Sequence, residues 1–376
     1  MGLHAYQALI ILLAVGYALG LLRLRRGFFR LTYPASSTWP SVSVVISFHN
    51  ERENVVPCLE RIIGQDYPRD RLEIIAVNDR STDGTGEILE ALAEKWSGLR
   101  VLHISTLRED VAPKKRAIGE AIRKARGEII LLTDADGRPG DQWVRGMVEN
   151  FSRETGMVLG YAPYITRPPY QGWLHGMLAL EYFSHAAVAA ATTGLGFPVT
   201  CVGTNLAYRR EVFLQLGGFG RYQHIHTGDD DLFLQRVREE TSWQIRYATH
   251  PKTFVWNAPP SSFTAFYHQR LRYASKGFYY PIKVTLPLAL YYLFNLLLFL
   301  GIPLALLNGR SVWALTLALG VKGLGEGYFL HTAARVFQNG SIMRFFLPAF
   351  LLHIPYVVYF GFLGQFLKYR WGGRRR

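Results

Sequence analysis

The chain has 376 residues, 49% apolar and 14% aromatic, which excludes extended disorder and low-complexity architectures. Its formal net charge of +14 is unevenly placed: residues 1–40 carry +4, residues 265–376 carry +12, and residues 41–264 carry −2. The basic excess lies beside apolar segments, which argues for membrane lipids and against nucleic acid as partner. Two cysteines, Cys58 and Cys201, neither staple a secreted scaffold nor form a metal-ligand spacing, so a reducing compartment fits.

The first apolar run, His4–Leu22, is closed by the Arg23–Arg30 cluster. A cleaved signal would carry its positive charge ahead of the apolar stretch, so residues 1–30 read as an uncleaved anchor with a cytosolic C-terminal end. A proline-bounded linker, 31–40, follows. From 41 to 264, short apolar runs alternate with helix-like stretches, the pattern of a mostly parallel α/β sheet. Strands are predicted at Ser43–Ser47, Leu72–Val77, Arg100–Ile104 and Glu128–Thr133, with helices at Glu53–Gly64, Gly86–Lys95 and Lys114–Arg126. Residues 265–280 read as an interfacial segment and 281–376 as a C-terminal membrane region of two or three helices. Pro281–Leu307 and Phe345–Leu367 are long enough to span. Val312–Phe337 is apolar but holds Lys322 and Glu326 at i,i+4 spacing, which suits either a functional span or an interfacial helix.

Four clusters can carry chemistry. Asp79, in Val77–Thr85, falls at a strand exit, where a carboxylate can accept hydrogen bonds from a nucleobase imide or ribose hydroxyls. Asp134 and Asp136, in Leu131–Gly137, also follow a strand. Two carboxylates plus diphosphate oxygens suit Mg²⁺ or Mn²⁺. The three adjacent carboxylates Asp229, Asp230 and Asp231 could hold one group as a general base. In Tyr267–Tyr273, arginines at helical spacing could clamp a diphosphate while Gln269 or an aromatic faces an acceptor. Taken singly, the acidic clusters also suit capped turns and helix starts, and the last cluster suits a basic interfacial helix.

Together and in this order, the clusters resemble the membrane-bound, inverting glycosyltransferases of family 2, over about residues 41–280. Ser43–Glu51 resembles the family's opening strand and its Asn50-Glu51 loop. Val77–Thr85 is similar to its Val-Asp-Asp-Gly-Ser-Thr-Asp segment, with Asn78 and Arg80 in place of Asp and Gly. Thr133-Asp-Ala-Asp136 resembles the metal-binding Asp-x-Asp, and Pro113-Lys-Lys115 the basic turn before it. Gly203–Arg209 resembles the acceptor-side strand, and Gly228–Asp231 the segment bearing the base, in a register that makes it Asp230 or, alternatively, Asp229. Gln269–Tyr273 resembles the Gln-x-x-Arg-Trp motif of processive members, with Tyr273 in place of Trp.

The resemblance implies a GT-A catalytic domain, a Rossmann-like and mostly parallel sheet, with flanking transmembrane helices. It implies Asn50, Glu51, Asp79, Lys115, Asp134, Gln269, Arg270, Arg272 and Tyr273 on the nucleotide-sugar side, Gly203 and Asn205 on the acceptor side, and Asp134 and Asp136 as ligands of Mg²⁺ or Mn²⁺. The implied activity is a metal-dependent, hexosyltransferase-type transfer. It moves a sugar from a nucleotide diphosphate sugar to a lipid or lipid-linked acceptor at the cytosolic face of the plasma (inner) membrane. A processive polysaccharide synthase and a non-catalytic membrane scaffold of the same fold are the alternatives.

Overall fold

A computed structural model describes residues 2–275, 280–308, 312–371 and 374–375. Positions 276–279 of the expected interfacial segment, and 309–311, 372–373 and 376 of the expected membrane region, lie outside the described residues, as does Met1. The chain divides into two units. One comprises Phe29–Ile165 and Val188–Ala258, the other Met1–Phe28, Thr166–Ala187 and Pro259–Arg376. Residues 166–187, inside the expected 41–264 domain, thus group with the apolar helices.

Among the described residues the strands are β1 Val42–Phe48, β2 Leu72–Asp79, β3 Leu99–Ile104, β4 Ile129–Leu132, β5 Arg138–Pro139, β6 Thr155–Gly160, β7 Leu206–Arg209, β8 Gln244–Ala248, β9 Val255–Trp256, β10 Arg370–Trp371 and β11 Arg374–Arg375. The helices are α1 Gly2–Phe28, α2 Arg52–Ile63, α3 Thr85–Lys95, α4 Pro113–Lys124, α5 Trp143–Val148, α6 Trp173–Gly194, α7 Arg210–Gln215, α8 Asp231–Glu240, α9 Phe263–Ala274, α10 Ile282–Asn308, α11 Val312–Val336 and α12 Phe346–Phe366.

The first unit is built on a seven-stranded sheet of order β3-β2-β1-β4-β7-β6-β8. β1 runs parallel to β2 and β4, and β2 parallel to β3. These strands are near-continuous runs of Val, Ile and Leu, because a parallel sheet is covered on both faces. α2 turns Val55, Cys58, Leu59 and Ile62 toward the core, the i, i+3, i+4, i+7 stripe of a helix packed on one side. The sheet departs from a purely parallel one at β7, which is antiparallel to both β4 and β6. The chain builds outward from β1 to β3 and then returns to place β4 on the other side of β1. That reversal opens a crevice at the carboxyl ends of β1 and β4.

Among the described residues of the second unit, three helices are long and apolar enough to cross a membrane: His4–Phe28, Ile282–Pro303 and Gly340–Phe366. α11 packs along α1 and hides its two charges. Lys322 Nζ lies 2.6 Å from Glu326 Oε1, and the Tyr17 hydroxyl donates to the same carboxylate at 2.7 Å. The i,i+4 spacing read in the sequence is therefore a buried, hydrogen-bonded pair, the form in which charges are tolerated inside a helical bundle.

Candidate active site

Carboxylates from separate segments converge at the crevice of the sheet unit. Asp134 and Asp136 follow β4, while Asp229 and Asp230 precede α8, reached through Gly228 at φ +72°. Lys114, in the first turn of α4, joins the two groups. Its Nζ lies 2.8 Å from Asp134 Oδ1 and 3.0 Å from Asp229 Oδ2. Burial alone would favour the neutral amine, but the two carboxylates outweigh it and raise the ammonium pKa. The other oxygen of Asp134 accepts from the Thr204 hydroxyl.

Asp230 is the most solvent-reachable carboxylate of the triplet; Asp229 and Asp231 are buried. Its Oδ2 accepts from the Gly203 backbone N–H at 2.9 Å and its Oδ1 from the Asp231 N–H at 2.7 Å, which makes it the N-cap of α8. Two backbone donors from different segments fix the carboxylate's orientation. The capped helix start and the candidate base are the same group.

Asp136 is solvent-accessible, yet its carboxyl is pushed up to about 6. The cleft wall, which crowds water from the carboxylate, is the largest cause, followed by the charges of Asp134 and Glu51.

Other expected site residues fall in different roles. Lys115 is 2% exposed and donates to the Tyr222 and Thr227 carbonyls at 2.7 and 2.9 Å, so it anchors the loop ahead of the acidic triplet. Asn205 is fully buried. It accepts from Trp143 Nε1 at 3.0 Å and donates to the Tyr161 and Thr253 carbonyls at 2.8 and 2.7 Å. Only glycine at 160 leaves room for it, since a Cβ there would lie 2.4 Å from the Asn205 amide. Asn205 thus braces the strand end and does not face an acceptor. Asn205→Ala strands three buried partners at about 1–3 kcal/mol each. The apparent melting temperature should fall by about 5 °C or more, and an unchanged melt would show the brace to be idle.

At the end of β2, both oxygens of Asp79 accept from Arg80, Nε and Nη2 each at 2.7 Å. Arg80 holds φ +57°, a left-handed conformation unusual for a bulky residue. Asn50, also at φ +57°, accepts from the Thr82 N–H at 2.8 Å, and Glu51 accepts from Asn54 Nδ2 at 2.7 Å. The first two loops of the crevice are thereby tied together.

The family model described as Glycosyl transferase family 2 matches residues 43–217, which hold β1 to β4, Lys114, both carboxylates after β4, and Gly203. Residues 43–217 are thus similar to a family 2 glycosyltransferase domain.

Among curated relatives, this chain is 28% identical over 253 residues to "Probable glycosyltransferase YdaM" of Bacillus subtilis (strain 168), covering 65% of this chain and 57% of the relative. It is 26% identical over 239 residues to a β-monoglucosyldiacylglycerol synthase of Nostoc sp. (strain PCC 7120), covering 64% and 49%. The chain thus spans about half of these relatives' length. A solved mannosyltransferase, PcManGT from Pyrobaculum calidifontis in complex with GDP-Man and Mn²⁺, superimposes with a TM-score of 0.61 at 21% identity, over 96% of this chain and 98% of that one. The shared fold is GT-A, as the sheet order leads one to expect.

Asp134 and Asp136 are hard oxygen donors, the type that suits Mg²⁺ or Mn²⁺. No group of three or more His, Cys, Asp or Glu forms a self-sufficient metal site among the described residues. Mg²⁺ and Mn²⁺ need only one or two carboxylates when diphosphate oxygens complete the shell, and Asp136 lies close enough to Asp134 and Glu51 to feel their charges. Gln269, Arg270, Arg272 and Tyr273 lie on α9, in the other unit. There Arg270 is 1% exposed, with its guanidinium 2.5 Å from Glu181, whose second oxygen accepts from the Tyr356 hydroxyl at 2.9 Å. Arg270 therefore holds α9 to α6 and α12, and does not present its charge to a diphosphate. Sequence reasoning missed Lys114, Thr204 and Glu181. Lys114 alone carried a signal, as the neighbour of the lysine chosen.

Proposed function

We propose that this protein is an inverting glycosyltransferase that moves a sugar from a nucleotide diphosphate sugar to a lipid or lipid-linked acceptor at the cytosolic face of a membrane. The observation that carries the reading is the convergence of Asp134 and Asp229 on Lys114 at the sheet's crevice, with the neighbouring Asp230 held by the Gly203 N–H. A lipid acceptor is supported by the apolar helices and by relatives whose names specify a diacylglycerol or a dolichyl-linked substrate.

Asp230 is the group to take the acceptor hydroxyl's proton, with Gly203 N–H fixing one oxygen. The acceptor oxygen then bonds to the anomeric carbon from the face opposite the diphosphate, the bond to the diphosphate oxygen breaks, and the anomer is inverted. Asp134 and Asp136 would hold Mg²⁺ or Mn²⁺, which when bound would offset charge on the leaving diphosphate. The deciding experiment incubates the full chain in detergent with UDP-, GDP- and dTDP-sugars and a lipid extract. A glycolipid of inverted configuration is expected with one of them; no transfer and no hydrolysis with any would overturn the reading.

Asp79 is the proposed contact for the nucleobase or ribose, and Arg80 covers it. Arg80→Gly removes the cover and suits the left-handed backbone. Binding of the preferred nucleoside diphosphate should tighten severalfold in titration calorimetry; weaker binding would assign the contact to Arg80 itself.

The cytosolic orientation rests on the Arg23–Arg30 cluster and on the supply of nucleotide sugars. A cysteine introduced at the exposed Arg108 should resist a membrane-impermeant maleimide in intact cells and react after lysis. Labelling of intact cells would reverse the topology.

A further inference from the structure

Two lysines open α4, at the end where the helix dipole disfavours cations. Lys115 is accounted for by two carbonyl partners. Lys114 stands between two carboxylates that arrive from different parts of the chain, with its side chain 24% exposed. Unit charges of like sign this close repel strongly, so the ammonium is what allows Asp134 and Asp229 to face each other. With Thr204 on its second oxygen, Asp134 has both oxygens engaged.

An ammonium and a divalent cation held on the same carboxylate repel each other. Coordination at Asp134 is therefore easier once Lys114 moves away from it, and a move without a new anion would leave the ammonium with Asp229 alone in a partly buried place. A diphosphate supplies that anion, because an ammonium has three donors and moves on a flexible stem.

We propose that Lys114 is a built-in counter-ion that keeps the carboxylate pair closed to divalent cations until a nucleoside diphosphate arrives, so that cation and nucleotide bind together. Lys114 then passes from Asp134 to the diphosphate. The proposal rests on the glycosyltransferase reading and names an order of events at that same site. A lysine that only pinned two loops together would make no such link between the two ligands.

The test uses the full chain in detergent and the electron paramagnetic resonance signal of free Mn²⁺, read with and without UDP or GDP. Wild type should take up Mn²⁺ weakly alone and about tenfold more tightly with one of the diphosphates. Lys114→Gln removes the ammonium from both carboxylates and should bind Mn²⁺ alone about tenfold more tightly than wild type, with the nucleotide's enhancement reduced to match. Lys114→Arg keeps the charge and should behave as wild type, which separates charge from packing. If Lys114→Gln binds Mn²⁺ alone no better than wild type while the nucleotide still enhances uptake in both, the counter-ion role is wrong and the metal reading stands. If wild type takes up no Mn²⁺ with either diphosphate, the metal reading falls and the proposal with it.

Discussion

Asp230→Asn should lower the rate of sugar transfer by roughly 10²–10⁴-fold, the worth of a positioned general base. Nucleotide affinity should stay nearly constant, because the amide keeps the size and one acceptor oxygen of the carboxylate. A loss confined to kcat would mark an interaction made in the transition state and absent from ground-state binding. Asp229→Asn must be measured beside it, since Asp229 pairs with Lys114 3.0 Å away and removing its charge loosens that contact. Asp229→Asn is expected to shift cation and nucleotide affinity more than the rate. If it abolishes transfer while Asp230→Asn remains near wild type, the base is Asp229 and the other register holds. Should neither variant slow transfer, the triplet only caps α8 and the proton goes elsewhere.

The second large effect is expected at Asp136. Asp136→Ala, or chelation of the wild type with EDTA, should reduce transfer to the background of donor hydrolysis, as loss of a leaving-group counter-charge costs several kcal/mol. Full activity in EDTA would sink the metal assignment. The effect should also depend on pH in a defined direction. The folded-state Asp136 carboxyl titrates at about 6, above the ordinary carboxylate range, so the metal-free protein binds a proton there as the pH falls through 6. That proton and the cation compete. Mn²⁺ affinity should therefore rise from pH 5 to pH 7 in the wild type, and the rise should flatten in Asp136→Ala. An equally steep rise in the variant would assign the titration to another carboxylate.

Much of this molecule is determined by sequence pattern alone. Short, mostly apolar runs such as Val42–Phe48 and Ile129–Leu132 read as strands covered on both faces, and the strand and helix bounds fall within two residues of expectation through β4. The long apolar helices and the acidic clusters at strand ends are equally local signals. What the pattern could not specify is which side chain meets which. Neighbours on a helix point about 100° apart, so one of two adjacent lysines faces Asp134 and Asp229 while the other enters the core, and only the packing of α4 chooses Lys114 for the carboxylates. Asn205 and Arg270 look like ligand-binding residues in a string of letters. Their burial against Trp143 and Glu181 depends on contacts dozens of residues away, for which hydropathy carries no record. The same holds for Lys322 and Glu326, whose spacing is readable but whose shelter beside Tyr17 is not. Periodicity reports whether a side chain is buried; the partner that makes a buried polar group affordable is decided by the tertiary structure, because an unpaired one would cost more than the fold can offset.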